Sequence, residues 1–152
     1  MRIVVQRVSR ASVDVGADRV GEIGPGLLLL VGIGPEDVDL DLSRVAGKIV
    51  NLRIFEDKDG RMNRSLLDVE GQILAISQFT LFGDTRKGRR PSFVAAAAPE
   101  VAAPLFDRFV DALQSEGVHV GTGRFGAKMD VGLVNAGPVT LVLEVAPPAV
   151  WR

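Results

Sequence analysis

Apolar and polar positions alternate from the start of the chain. Ile3, Val5 and Val8 open one strand, and Ser12-Val13-Asp14-Val15 repeats the alternation until Gly16. Val20-Gly21-Glu22-Ile23 follows a short turn at Ala17-Asp18, which predicts a hairpin. Gly24-Pro25-Gly26 is a turn signal. The continuous apolar run from Leu27 to Gly32 then reads as a central strand covered on both faces. The period changes to that of a helix from Asp39 to about Arg53, where Leu42, Val45, Ala46, Ile49 and Val50 share a face and Asp37 and Asp39 suit the start. A second helix is predicted over Pro99–Ser115, with Val101, Leu105, Phe106, Phe109, Val110 and Leu113 as its stripe and Gly117 beyond its end. Strands are expected over Gln72–Leu81, Val118–Val120 and Asp130–Asn135, and over Val139–Val145 after a turn at Gly137-Pro138. Seven or eight strands with two helices predict one α+β domain spanning residues 1–152. Its sheets should be curved, antiparallel or mixed, barrel-like or layered, with both helices on one side. Pro147, Pro148, Trp151 and Arg152 read as an ordered tail packed on the body or on a partner.

Composition narrows the chemistry. Apolar residues make up 47% of 152 residues and charged residues 24%, which excludes the disordered class. Eighteen basic against nineteen acidic side chains select no partner globally, so any nucleic-acid site must be local. No apolar run is long enough to span a bilayer. With no signal sequence and no cysteine, a cytoplasmic location is expected. Thiol nucleophiles and zinc–thiolate sites are impossible, and a single histidine, His119, cannot build a multi-histidine metal centre. No metal and no cofactor is expected. The glycines around Val20–Gly26 precede no helix and so form no dinucleotide fingerprint. Asp57-Lys58-Asp59-Gly60 has its glycine too early for a calcium loop and reads as a charged β-turn. An inventory this poor leaves backbone groups, or the substrate itself, to carry any catalysis.

Two segments remain. In the first, Ser77-Gln78-Phe79-Thr80 at a strand end runs into a loop with four cations in five residues, Arg86, Lys87, Arg89 and Arg90, followed by Phe93. Such a cluster can neutralise phosphates at a pocket mouth, or it can be a solvated loop. The second is Asn135-Ala136-Gly137-Pro138-Val139-Thr140, where an X-Pro bond gives access to a cis peptide, although a plain β-turn has the same composition.

These two segments, in this order, resemble the motifs of the D-aminoacyl-tRNA deacylases of the bacterial and eukaryotic cytosolic type. Supporting similarity lies in Gln6–Val13, Val20–Gly24, Asp84–Phe93 and Gly123–Met129; Ala136 stands where many relatives have an acidic residue. The resemblance implies an ester hydrolase that acts on tRNA carrying a D-amino acid or glycine, working as a homodimer with a pocket at the subunit interface. It implies a cis Gly137-Pro138 bond whose carbonyls reach the partner's pocket and exclude L side chains. A steric wall rejects an added group but not a missing one, so glycine should pass. Ser77, Gln78, Phe79 and Thr80 are then the catalytic segment. Gln78 positions substrate, the N–H groups around Phe79 and Thr80 stabilise an oxyanion, and Thr80 positions rather than attacks, with the 2′-hydroxyl of the terminal adenosine assisting. Phe125, Met129, Asn135 and Thr140 are implied substrate-binding residues, with Phe125 and Met129 lining the adenosine pocket or serving only as core. A tRNA- or RNA-binding module without catalysis, and a structural dimerisation domain, remain as competing readings.

Overall fold

The computed structural model describes residues 1–147 and 150–151. The strands are β1 (Arg2–Val15), β2 (Asp18–Ile23), β3 (Gly26–Gly32), β4 (Phe55–Glu56), β5 (Met62–Arg64), β6 (Gln72–Ser77), β7 (Val120–Thr122), β8 (Asp130–Ala146) and β9 (Val150–Trp151). The helices are α1 (Leu42–Val50) and α2 (Pro99–Ser115). A mixed sheet runs β7-β6-β3-β1-β8-β9, with β2 paired to the far half of β1. The pair β3–β6 and the pair β6–β7 are parallel, and the rest are antiparallel.

β3 is central and buried on both sides, as its unbroken apolar run predicts. Leu27, Leu29 and Val31 belong to the large core beneath α1 and α2, whereas Leu28 joins a second core with Val8, Ala11, Val13, Ile23, Leu74 and Ile76. That second core exists because β2 folds back over β6 and β7: a Cβ at Gly21 would lie 2.7 Å from the Thr122 carbonyl. The curved α+β architecture with both helices on one face is the expected one. At Gly26 the β3 and β6 backbones approach so closely that a Cβ would sit 1.8 Å from the Gln72 carbonyl oxygen, which only glycine permits.

Several boundaries differ from the pattern-based reading. The two expected N-terminal strands are one, because β1 crosses from the first core (Ile3, Val5) to the second (Val8, Ala11, Val13) through register shifts around Arg7 to Arg10. Asp37 and Asp39 do not start α1; they fall in a separate 3-10 turn, Pro35–Asp39, and Asp41 caps α1 by accepting from the Arg44 N–H at 3.1 Å. Asp37 is instead buried against the Met1 ammonium at 2.5 Å. The α2 span is as predicted, with Ala102 rather than the exposed Val101 on its buried face. β6 ends at Ser77, and Phe79–Phe82 is a 3-10 turn rather than strand. The strand placed at Val118–Val120 lies two residues further on. Glycine and proline at 137 and 138 do not divide two strands, since β8 runs through them. Asp57–Gly60 is the expected turn, closed by a Gly60 N–H to Asp57 carbonyl bond of 3.0 Å, and it joins β4 to β5. Of the predicted tail, Trp151 pairs with Val145 of β8, and Pro148 and Arg152 lie outside the described residues.

Candidate active site

Four separated segments enclose a cavity of about 540 Å³. Ile33 follows β3; the end of β6 and the following turn supply Ile76, Ser77, Gln78 and Phe79; the approach to α2 and its first turn supply Phe93, Ala96 to Pro99 and Ala102; and the β7–β8 connection with the start of β8 supplies Phe125, Gly126, Ala127, Met129 and Val131. The volume is that of a small-ligand site. Phe79 and Phe93 meet edge to face with centroids 5.1 Å apart at its mouth. The small side chains of Ala96, Ala97 and Ala98 make the room. Among the described residues no carboxylate, lysine or histidine lines it; His119 is exposed beside a different, shallower cavity with Leu66 and Glu70.

The chain reverses sharply after β6 because Gln78 and Gly83 flank a single 3-10 turn. Gln78 donates its own N–H to the Val31 carbonyl at 2.8 Å, which ties the turn to the central strand. The Phe79 and Thr80 N–H groups are the first of the turn and have no intrahelical acceptor; among the described residues none is found for them. The Gln78 side-chain amide donates to the Thr80 hydroxyl. Thr80 itself is exposed and lies just outside the cavity lining.

The Asn135–Thr140 segment stands elsewhere. Gly137-Pro138 is cis and exposed. Val8 faces Asn135 and Gln6 faces Thr140, so four residues of β8, Ala136–Val139, answer Arg7 alone and bulge from the ladder. Asn135 holds the bulge from within: its side-chain Oδ1 accepts from the Val139 N–H at 2.7 Å, and its Nδ2 donates to the Val139 carbonyl and the Thr140 hydroxyl. Arg7 holds it from behind, donating to the Ala136 carbonyl and to the Ile54 carbonyl, each at 2.7 Å. Only 8% exposed, Arg7 lies within the Gln6–Val13 segment of supporting similarity, and its place among the inward positions of β1 is the signal for its strut role. Gly137 has φ +144°, and a Cβ there would lie 3.0 Å from Arg7 Nη2. Neither Gly137, Pro138, Asn135 nor Thr140 lines the cavity of its own chain. At about 3.3 Å per residue, Gly137 is roughly 20 Å along β8 from Val131. Beyond the short pairing with β9, the outer edge of β8 is unpaired among the described residues and presents Leu133, Val134 and Val142, the last 71% exposed.

The basic loop adjoins the mouth, because a bridge between Asp84 and Ser92 closes it next to Phe93. Its four cations are not equivalent. Arg86 lies on Asp84, with Nη2 to Oδ2 at 2.6 Å and Nε to Oδ1 at 2.9 Å. The Arg86 side chain, then its backbone N–H, hold the Asp84 carboxyl down at about 2. Lys87, Arg89 and Arg90 form no ion pair among the described residues.

Known proteins resemble this chain along nearly its whole length. D-aminoacyl-tRNA deacylases of Bacillus cereus, Bacillus cytotoxicus and Bacillus anthracis are each 58% identical to this chain over 144 residues, which covers 95% of the chain and 99% of the relative. The solved structure of a c-Myc DNA Unwinding Element Binding Protein is 39% identical with a TM-score of 0.83, covering 95% of this chain and 98% of that one. A structure described as a probable eukaryotic D-amino acid tRNA deacylase, at 20% identity, TM-score 0.79 and 93% and 97% coverage, shares the fold. No helix is long and apolar enough to cross a membrane among the described residues. The D-Tyr-tRNA(Tyr) deacylase family profile matches residues 4–144, and the chain belongs to that family.

Proposed function

We propose that this protein hydrolyses the ester of D-aminoacyl-tRNA, and of glycyl-tRNA, with the aminoacyl-adenosine end of the tRNA in the cavity beside Ser77–Phe79. The observation that carries this reading is the cavity wall: two unsatisfied N–H groups adjoin an apolar pocket that contains no side-chain base. Ser77 alone offers a hydroxyl there, and without a base it is a poor nucleophile. The Phe79 and Thr80 N–H groups suit a developing oxyanion, because fixed dipoles need no reorganisation as charge appears. Gln78 positions the substrate, and the 2′-hydroxyl of the terminal adenosine supplies the proton-transfer help that the protein lacks. Phe125 and Met129 take the adenosine.

The chiral filter in this reading comes from a second copy of the chain. The Gly137-Pro138 bulge is exposed and displaced along β8 from its own cavity, and the apolar edge of β8 calls for a partner. A two-fold dimer lets each bulge close the other subunit's mouth, with Asn135 and Thr140 fixing the two carbonyls that face the substrate α-carbon. A D side chain points away from that wall, and glycine has none to collide.

Incubation with D-alanyl-, L-alanyl- and glycyl-tRNA tests the reading directly. Free D-alanine and glycine should appear, with L-alanyl-tRNA spared; binding of all three without release would leave an RNA-binding module in its place. Thr80→Ala should keep most of the activity, whereas a 2′-deoxy terminal adenosine should lose on the order of 100-fold or more, the usual worth of a positioned proton-transfer group. An acyl-enzyme trapped at Thr80 would overturn this assignment.

The basic loop gives a salt-dependence prediction. Neutralising Lys87, Arg89 and Arg90 together should lower the slope of log affinity for tRNA against log salt by about 2, three contacts at roughly 0.7 each for single strands. Neutralising Asp84 and Arg86 as a pair should leave the slope unchanged near neutral pH. The sign follows from the lowered carboxyl: the pair's contribution is complete above the unfolded value of 3.8 and fades only as pH falls through about 2.

A further inference from the structure

The connection between β7 and β8 carries two cations outside the reading above. Arg124 and Lys128 bracket a tight turn in which the Ala127 N–H donates to the Arg124 carbonyl at 3.2 Å and Gly126 takes φ +76°. The residues between and beside them, Phe125, Gly126, Ala127 and Met129, form one wall of the cavity, and both cationic side chains are exposed. Phe79 and Phe93 form another part of the rim, and beside Phe93 stands the loop that carries Lys87, Arg89 and Arg90. None of these five cations is in an ion pair among the described residues. The neighbouring carboxylates are Asp84, occupied by Arg86, and the exposed Glu100 and Asp130. In a chain of net charge −1, two cationic loops thus adjoin one apolar cavity.

A ligand whose terminal nucleoside fills the cavity must leave through its mouth, so the phosphodiesters preceding the nucleoside pass between the two loops. We infer that Arg124 and Lys128 are the second jaw of a phosphate clamp, gripping the single-stranded 3′ end of the RNA opposite Lys87, Arg89 and Arg90. The inference rests on the proposed occupancy of the cavity by aminoacyl-adenosine. Two jaws serve better than one patch here. The single-stranded end is flexible, and contacts from both sides restrict its approach to the direction that places the ester at the Phe79 and Thr80 N–H groups. The exposed cations act on the phosphates alone and leave the ester to the pocket floor.

The test compares the parent with Arg124→Ala/Lys128→Ala and with the charge-keeping Arg124→Lys/Lys128→Arg. Uncharged tRNA is the binding probe across a salt series, and D-alanyl-tRNA and D-alanyl-adenosine are the substrates. The double alanine variant should bind tRNA about tenfold more weakly at physiological salt, with the slope reduced by about 1.4 for two lost single-strand contacts. Its preference for D-alanyl-tRNA over D-alanyl-adenosine, read as the ratio of kcat/KM values, should fall by the same factor through KM, while the charge-keeping variant retains slope and preference. An unchanged slope, or an equal loss on both substrates, would overturn the clamp. A parent that fails to bind tRNA would do so too. A parent that binds tRNA with the expected slope but releases no D-alanine would overturn the deacylase reading and leave the clamp standing.

Discussion

Replacing Arg7 by alanine should cost about 3 kcal/mol of stability and more than 100-fold in release of D-amino acids. The stability loss follows from two carbonyls, Ala136 and Ile54, that would lose buried donors at 2.7 Å; an unsatisfied buried acceptor costs about 1–3 kcal/mol. A third contact, 3.8 Å to the exposed Glu56, adds little. The activity loss follows from position. Arg7 holds the Ala136 carbonyl at the start of the bulge, so its removal loosens the Gly137 and Pro138 carbonyls that the proposed function sets against the substrate, and an ångström of misplacement there is enough. Arg7→Lys separates the two effects. It keeps the charge, yet a single ammonium lacks the rigid fork that serves two carbonyls at once, so the bulge should still be loosened. Thermal unfolding and deacylation of D-alanyl-tRNA read the two consequences. A folded Arg7→Ala protein with the parent rate would show that the bulge is placed without Arg7, and would remove it from any part in chiral selection.

Asp37→Ala should also destabilise the protein strongly, by about 3–5 kcal/mol. The Met1 ammonium is fully buried, the Asp37 carboxylate nearly so, and the two meet at 2.5 Å. The ammonium also donates to the Val145 carbonyl at 2.8 Å, and Asp37 Oδ2 accepts from the Gly34 N–H at 2.6 Å. The pair therefore ties β1, the end of β8 and the 3-10 turn before α1 at one point. Removing one partner strands the other charge in the core, which is why the loss exceeds the net worth of the pair. Acetylation of the Met1 amine should destabilise in the same direction, and the two changes together should cost less than their sum, because each removes the same interaction. Denaturant midpoints provide the measurement; additive effects would mean that the ammonium and Asp37 contribute independently.

Much of this molecule is legible in local pattern. α2 occupies the residues its stripe and flanking Pro99 and Gly117 predict, and β3 is central because Leu27 to Val31 had no polar face to show water. Such readings succeed because a period of 2 or 3.6 depends on one element and the side of it that is buried. The two family motifs were equally plain as strings of residues. Their arrangement was not. Nothing in the order of residues says that Ser77–Phe79, Phe93, Ala96–Pro99 and Phe125–Met129 converge on one cavity, since these segments meet only when β6, α2 and the β7–β8 turn are packed.

The charges show the same division. Composition counts Arg86 with Lys87, Arg89 and Arg90 as four equal cations, and only the folded loop places Asp84 on one of them. Asp37 has the right identity and position for a helix start, yet the N-terminus, far away in sequence and adjacent in space, claims it for the core. Arg7 looks like a strand residue with a charged tip, and it is the strut between β4 and the Gly137-Pro138 bulge. By itself, then, the sequence determined the α+β class, the α2 span, the central place of β3 and the two motifs, because these depend on neighbours within a few residues. The tertiary structure decided which charges are paired, how β1 passes between two cores, and where the cavity lies, because ion pairing, register and enclosure each depend on groups that only long-range packing brings together.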